Sequence, residues 1–239
     1  MTSSDSNRAD NGKLAVTDSR QSTATADNTA PASPDSRPRQ ASCPDLRQTL
    51  RARRDGLSAT TVAENSRLIA RQVLPLLHGV RHIAGYLAFG NEVNVEPLLA
   101  RCRAAQSLTF VPLIQPDHTL LFSPLDENTA IVQNRYGIRE PEYTAEDCIY
   151  PSTLDAVLVP LLGFDPQCHR MGMGGGYYDR SFTHRRQADA TRLPTQGSSP
   201  LLIGVAHQLQ CVDSLTPAWW DVPLDVVVTE TRIYRRNSE

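Results

Sequence analysis

Several things are missing from these 239 residues, and each absence closes off a class of protein. No apolar run reaches about 18 residues, the length at which a helix can span a bilayer, so no membrane crossing is expected. Charge of one sign does not dominate: the formal net charge is −2, which gives the chain as a whole no pull toward DNA or RNA. A local cationic pocket for a small anion stays open. The five cysteines, Cys43, Cys102, Cys148, Cys168 and Cys211, include no C-x-x-C pair. An odd number in a chain of this length argues against a disulfide framework and for a reducing compartment. Cys168-His169 looks like half of a metal site with no second half, and zinc is rejected. From Met1 to Asp10 no basic start leads into an apolar stretch, and Asp5, Asp10 and Asp18 interrupt any basic amphipathic face. Neither a secretory signal nor a mitochondrial leader is expected, and the expected location is cytoplasmic.

What is present divides in two. Residues 1–41 are rich in Ser, Thr, Asp, Asn and Pro and nearly free of large apolar side chains. Such a segment cannot offset its ordering entropy by burial, and it reads as a disordered tail. Residues 42–239 read as a single domain. Ser42-Cys-Pro-Asp-Leu carries a cap residue, a first-turn proline and a first-turn acid, so a helix is expected to begin there. Leu46, Leu50 and Leu57 line it between arginines. A second helix is expected from Ser58, with Val62, Leu68, Ile69, Val73 and Leu74 at roughly helical spacing.

Beyond these, His82–Phe89 reads as a buried strand, Val95–Ala105 as a helix and Leu108–Ile114 as a strand. After the Pro116-Asp117 turn, His118–Pro124 reads as an antiparallel partner. Ala156–Phe164 is a strand whose Pro160 suggests an edge position or a bulge. Tyr177–Arg186 reads as a helix, about 187–200 as a polar loop, and Leu201–Ala206 and Asp225–Thr229 as strands. Continuously apolar strands alternating with helices predict an α/β fold, a three-layer α/β/α sandwich around a mostly parallel sheet. Ligands of such sheets bind where loops leave the carboxyl ends of strands, which points to the chain after Phe164 and after Phe89.

After Phe164 comes Asp165-Pro-Gln-Cys-His-Arg-Met-Gly-Met-Gly-Gly-Gly, opening into Tyr177-Tyr178-Asp179-Arg180. Gly172, Gly174, Gly175 and Gly176 let backbone approach a ligand closely. Free amides beside a helix start suit an anion, and Arg170 adds a fixed positive charge. Neither the dinucleotide spacing nor the P-loop spacing fits, because both patterns fail at Tyr177. A flexible hinge remains the plainer alternative to a phosphate cradle.

The run Arg170-Met-Gly-Met-Gly-Gly-Gly-Tyr-Tyr-Asp-Arg180 resembles the signature of the 5-formyltetrahydrofolate cyclo-ligases, and four further blocks match in order. They are Leu46-Arg47 with the arginine-rich helix behind it, Gly85–Val93, Asn134–Pro141 and Trp220–Glu230. The likeness covers about residues 44–232. It implies ATP-dependent closure of 5-formyltetrahydrofolate to 5,10-methenyltetrahydrofolate, with Mg²⁺ as cofactor and ATP as co-substrate. The expected partners are thus small molecules, a reduced folate and ATP, bound by a monomer without nucleic acid or membrane.

By this resemblance Arg47 and Arg170, Met171, Gly172, Met173, Gly174, Gly175, Gly176, Tyr177 and Tyr178 would hold ATP. Arg47, Leu87, Glu92, Met173, Gly174, Gly175, Gly176 and Tyr177 would touch the folate. Arg170 and Tyr177 would serve catalysis, and Asp179 and Asp221 would carry the metal. Two departures stand out: Cys43 replaces a Lys or Arg common in the family four residues before Arg47, with Arg39 nearby, and Gly175 stands where some members have Lys.

On residues alone, plainer alternatives remain. Glu92 reads as a solvated loop carboxylate, Asp221 as the cap of a turn before Pro223, and Tyr177 and Tyr178 as core aromatics. Trp219 and Trp220 read as packing over a sheet edge, and His207 as structural. The rival functions are a non-catalytic folate- or nucleotide-binding relative and a phosphotransferase acting on another small molecule.

Overall fold

In the computed structural model the described residues are 43–133, 139–186 and 200–236. The tail, the cap at Ser42, most of the Asn134–Pro141 block and nearly all of the 187–200 loop lie outside them. In chain order the elements are α1 (Cys43–Asp55), α2 (Ala59–Val73), β1 (His82–Ala84), α3 (Glu96–Ala104), β2 (Leu108–Ile114) and β3 (Leu120–Pro124). Next come β4 (Ile131–Gln133), β5 (Arg139–Pro141), β6 (Ala156–Pro160), β7 (Gly163–Phe164), β8 (Arg170–Met171) and α4 (Tyr177–Ser181). The last are β9 (Leu201–Val205), β10 (Val226–Val228) and β11 (Ile233–Arg235).

Seven strands form one sheet in the order β11-β10-β9-β6-β1-β2-β3. The inner pairs β10–β9, β9–β6, β6–β1 and β1–β2 are parallel, and β11 and β3 close the two edges antiparallel. Alternate residues of one strand enter different cores, as a pleat requires. Leu158, Ile203, Val205, Val226 and Val228 join Ile69, Val73, Leu98 and Leu99 of α2 and α3 on one face. Val157, Val159, Leu202 and Val227 meet Phe164, Phe182, Val222 and Leu224 on the other. The apolar runs are continuous because both faces are covered, which is what selects a parallel sheet.

Several expected boundaries move. The Ala156–Phe164 strand breaks after Pro160, and β6 is the middle strand rather than an edge. The proline is tolerated because β1 parts from β6 after the Ala84–Val157 pair, leaving Pro160 a neighbour only in β9. Phe164 belongs instead to the short β7–β8 hairpin. The strand expected to reach Phe89 stops at Ala84: a side chain on Gly85 would sit 2.7 Å from Leu99, so α3 packs onto bare backbone there. Tyr177–Arg186 is a single α-turn, α4, followed by a 3-10 turn over Thr183–Arg186. The second covering layer is therefore thin, built from α4, the hairpin and the 222–224 segment.

The sheet runs outward in both directions from β6 and β1, which makes their boundary the topological switch point. α1 caps that end. Its Leu50 is fully buried with Leu162 and Met171, and a side chain on Gly163 would collide with it at 2.5 Å.

Candidate functional site

The glycine loop is presented by a rigid hairpin. Asp165, fully buried, accepts from the amides of Gln167 and His169 through Oδ1, each at 3.0 Å. Its Oδ2 takes the Leu215 amide and the His169 ring, each at 2.9 Å. Cys168 turns the chain at φ +66° and buries its thiol, which burial pushes up to about 11. Its thiol and the His169 ring serve different neighbours, and among the described residues no three His, Cys, Asp or Glu side chains gather as a metal site.

Arg170 follows, its side chain 7% exposed. One nitrogen lies 2.6 Å from Asp179 Oδ1 and another donates to the Val222 carbonyl. Asp179 also accepts the Val222 amide at 2.9 Å, so the 170, 179 and 222 positions form one knot. Asp221, next to Val222, takes the Ala218 amide at 2.8 Å and closes a turn.

From Gly172 to Gly176 only Met173 carries a side chain. Gly174 at φ +102° and Gly176 at φ +66° hold conformations that side chains resist, and nothing lies within 4 Å of where side chains at Gly172 and Gly174 would be. Gly175 is covered by the Tyr177 ring, which would stand 2.3 Å from an added Cβ. Among the described residues no group accepts from the amides of Gly172–Gly176. That is the state in which a run of amides can serve an anion. The helix start expected beside them is present at Tyr177, but α4 has only five residues and contributes little dipole.

One face of α1 spans the site. Arg47, Arg51 and Arg54 follow at spacings of four and three, which aligns them on a helix. Arg47 Nε donates to the Gly172 carbonyl at 3.3 Å, and Arg51 points at the Met173 sulfur at 3.7 Å. Arg54 reaches Glu92 at 3.3 Å. Sequence reasoning picked out Arg47 and missed the other two, although their spacing was visible.

Glu92 closes the turn begun at Phe89. The Phe89 amide donates to its Oε2 at 3.1 Å and the Glu92 amide donates to the Phe89 carbonyl at 3.2 Å. Burial holds its carboxyl above the usual value, and the Phe89 amide and Arg54 offset that only in part. It is not a solvated loop carboxylate. A cavity of about 410 Å³ lies here, lined by Arg51, Arg54, Asp55, Phe89 to Glu92 and Met173. Its size suits a small-molecule site.

The remaining candidates lie away from the lining of this cavity. Leu87 packs against the core under α2 and α3 rather than lining the cavity, and Met171 is buried beside Leu50. Tyr177 lies 6.0 Å from the His118 ring, and Tyr178 stacks on Phe182, its phenol raised well above the usual range by burial. Trp219 and Trp220 do not cover a sheet edge: they are 82% and 51% exposed and meet edge to face. His207 is fully buried, its Nε2 3.1 Å from the Asn91 carbonyl and its Nδ1 3.0 Å from the Asn65 amide. With those partners it is neutral, donating from Nε2 and accepting at Nδ1. Burial holds its pKa below the usual value.

Residues 39–230 match the family model described as the 5-formyltetrahydrofolate cyclo-ligase family. A 5-formyltetrahydrofolate cyclo-ligase of Escherichia coli K12 is 30% identical over 189 residues, covering 77% of this chain and 98% of its own. One from Haemophilus influenzae is 30% identical over 188 residues, covering 77% of this chain and 95% of its own. The solved 5,10-methenyltetrahydrofolate synthetase of Aquifex aeolicus superposes with a TM-score of 0.67 at 24% identity, over 82% of this chain and 94% of that one. That structural likeness supports the fold alone. The family match spans the glycine loop, the Glu92 turn and every strand of the sheet that carries them except the edge strand β11, and the chain belongs to the 5-formyltetrahydrofolate cyclo-ligase family.

Proposed function

We propose that this chain closes 5-formyltetrahydrofolate to 5,10-methenyltetrahydrofolate with ATP, releasing ADP and phosphate. The observation that carries the reading is the α1 face on which Arg47 and Arg51 meet the glycine loop and Arg54 meets Glu92. A phosphate cradle and a small-molecule cavity are thereby held side by side, as transfer between two substrates requires.

The chemistry asks for little beyond positioning and charge balance. The formyl oxygen of the folate attacks the γ-phosphorus of ATP and ADP leaves, which gives an imidate phosphate. N10 then attacks the imidate carbon and gives up its proton. The C–O bond breaks, and phosphate departs carrying the former formyl oxygen. The amides of Gly172–Gly176 would hold the triphosphate, with Arg47 and Arg170 balancing its charge. Glu92, Met173 and Tyr177 would face the folate, with Leu87 packed in the core behind the 89–92 turn rather than at the cavity. Tyr177, already folded over Gly175, would lie between nucleotide and folate.

Asp179 and Asp221 would hold Mg²⁺. They fit it in kind, as hard oxygen donors brought toward one place by the bond between Asp179 and the Val222 amide. Two carboxylates suffice where phosphate oxygens complete the shell, and the ion would neutralise phosphate charge. The reading takes the protein as a monomer.

Mixing the protein with 5-formyltetrahydrofolate, ATP and Mg²⁺ and following the methenyl absorbance tests the reading. A rising signal matched by ADP release is expected. No signal with ATP intact favours the non-catalytic relative, and ATP loss without the chromophore favours a different phosphoryl acceptor.

A further inference from the structure

Glu92 is anchored from one side by a charge that the reaction chemistry does not require. Arg54 carries the third guanidinium of the α1 face, and only 6% of its side chain is exposed. Its Nη1 lies 3.3 Å from Glu92 Oε1, and its buried Nε has no hydrogen-bond partner, with the Asp55 carboxylate 3.7 Å away. Taking a guanidinium out of water is costly, and an apolar side chain of similar size would commonly serve the fold as well. Its presence therefore points to use rather than to stability.

Uncharged side-chain bonds to backbone carbonyls define what Arg54 is placed against. The Asn91 side-chain amide reaches the carbonyls of Arg54, Asp55 and Leu57 at 3.2, 3.1 and 2.8 Å. On its other side, His207 is bonded to the Asn91 carbonyl. The turn is thus fixed to the end of α1 before any side-chain charge is counted, and the Arg54–Glu92 pair is additional. Glu92 Oε2 accepts the Phe89 amide and Oε1 accepts Arg54. A carboxylate oxygen has two acceptor sites, so each keeps one for a ligand.

We propose that Arg54 is the positioning residue of the folate half-site: paired with Glu92 from the α1 side, it holds that carboxylate at the cavity wall with its remaining lone pairs presented to N–H donors of the bound folate. This rests on the cyclo-ligase reading of the site. Charge matters as well as direction, because a protonated Glu92 would donate from one oxygen instead of accepting. The charged and titratable groups around Glu92 are Arg54, Asp55 and Arg51 of α1, which share the cavity wall, and the phenols of Tyr86 and Tyr178, both raised in part by the Glu92 charge; His207 bonds the adjacent Asn91 carbonyl. Of these, Arg54 is the one that favours the ionised carboxylate through both its charge and a hydrogen bond.

The test compares Arg54→Met, Arg54→Lys, Glu92→Gln and the Arg54→Met/Glu92→Gln double variant in the chromophore assay. KM is measured for each substrate, and the pH profile of kcat/KM for the folate is recorded. Arg54→Met is expected to raise the folate KM on the order of 10-fold, the worth of about one charged hydrogen bond. The KM for ATP should change little, and the acidic limb of the profile should move to higher pH. Arg54→Lys should restore part of both, and Arg54→Met should add nothing further in the Glu92→Gln background.

An unchanged folate KM and an unmoved limb overturn the proposal, whatever happens to melting temperature. So do equal penalties in both backgrounds. If Arg54→Met does not fold, Arg54→Lys decides: a raised folate KM supports the role and an unaltered one overturns it. A wild-type protein without turnover removes the cyclo-ligase reading and this role with it, whereas wild-type turnover with indifferent variants removes only the role of Arg54.

Discussion

Glu92 and His207 show how far a residue's meaning depends on its surroundings. Each has a bland reading in the sequence, one as a surface acid and the other as a structural ring. Burial decides between readings: it gives Glu92 an ion pair at a cavity wall and makes His207 a neutral bridge between α2 and the 89–92 turn. The pH consequence for His207 follows from linkage. Its folded pKa lies below the unfolded value of about 6.5, so the unfolded chain takes up protons first as pH falls. Its contribution to stability is present above that value and lost as pH drops through the folded pKa. Thermal melts from pH 7.5 to 5 should therefore show falling stability below about 6.5, and His207→Gln should flatten that fall. The flattening should be partial, because His184 is shifted in the same direction. A slope identical in wild type and variant would mean that His207 is not buried neutral.

Asp179 and Asp221 belong to the same scale. Asp179→Asn and Asp221→Ala are each expected to lower kcat on the order of 100-fold while the circular dichroism spectrum stays native. Titrating Mg²⁺ against rate checks the cause: the loss should be partly recovered at high metal. Full activity in both variants would remove them from the metal site. Asp179 was placed in the sequence by family pattern alone. Nothing there showed that it would pair with Arg170 nine residues earlier, since that contact depends on how the glycine loop folds back.

Under the proposed reading, α1 carries the most function for its size among the elements. Its apolar side rests on Leu50, set against Gly163 at the root of the hairpin, and its arginines reach both halves of the site. Leu50→Ala should cost about 2–5 kcal/mol by leaving a cavity there, read as a lowered melting temperature. The same variant should raise KM for both substrates, because the element that positions both has loosened. A stability loss with both KM values intact would mean that α1 is scaffold only.

The long elements were legible because period and caps agree over many residues, as in α2 behind Ser58 and in the β2–β3 pair around the 116–117 turn. The short ones were not. β4–β5, β7–β8 and β11 have two or three residues each, too few to display a period. The break at Pro160 and the stop at Ala84 depend on which strand or helix lies alongside, which is information the local sequence does not hold.

For the whole molecule, two apolar cores on opposite faces of one sheet place the chain ends of β1, β6 and β9 at a common edge. From that edge rise the Glu92 turn, the glycine loop and the His207 segment, in line with the rule for open parallel sheets. The rule was usable from sequence, since it needs only the order of strands and helices. The cavity was not, because Arg51, Arg54, Phe89 and Met173 meet only once α1 has docked. Among the described residues no helix is long and apolar enough to cross a membrane, in keeping with the interrupted apolar runs.

The account turns on a formyl oxygen that accepts the γ-phosphoryl group while both substrates sit across the α1 face. Turnover of 5-formyltetrahydrofolate labelled with ¹⁸O in the formyl group, with mass analysis of the phosphate released, tests this directly. One labelled oxygen in each phosphate, formed in step with the methenyl chromophore, is the predicted result. Unlabelled phosphate accompanying the chromophore, with the label recovered in water, would contradict it.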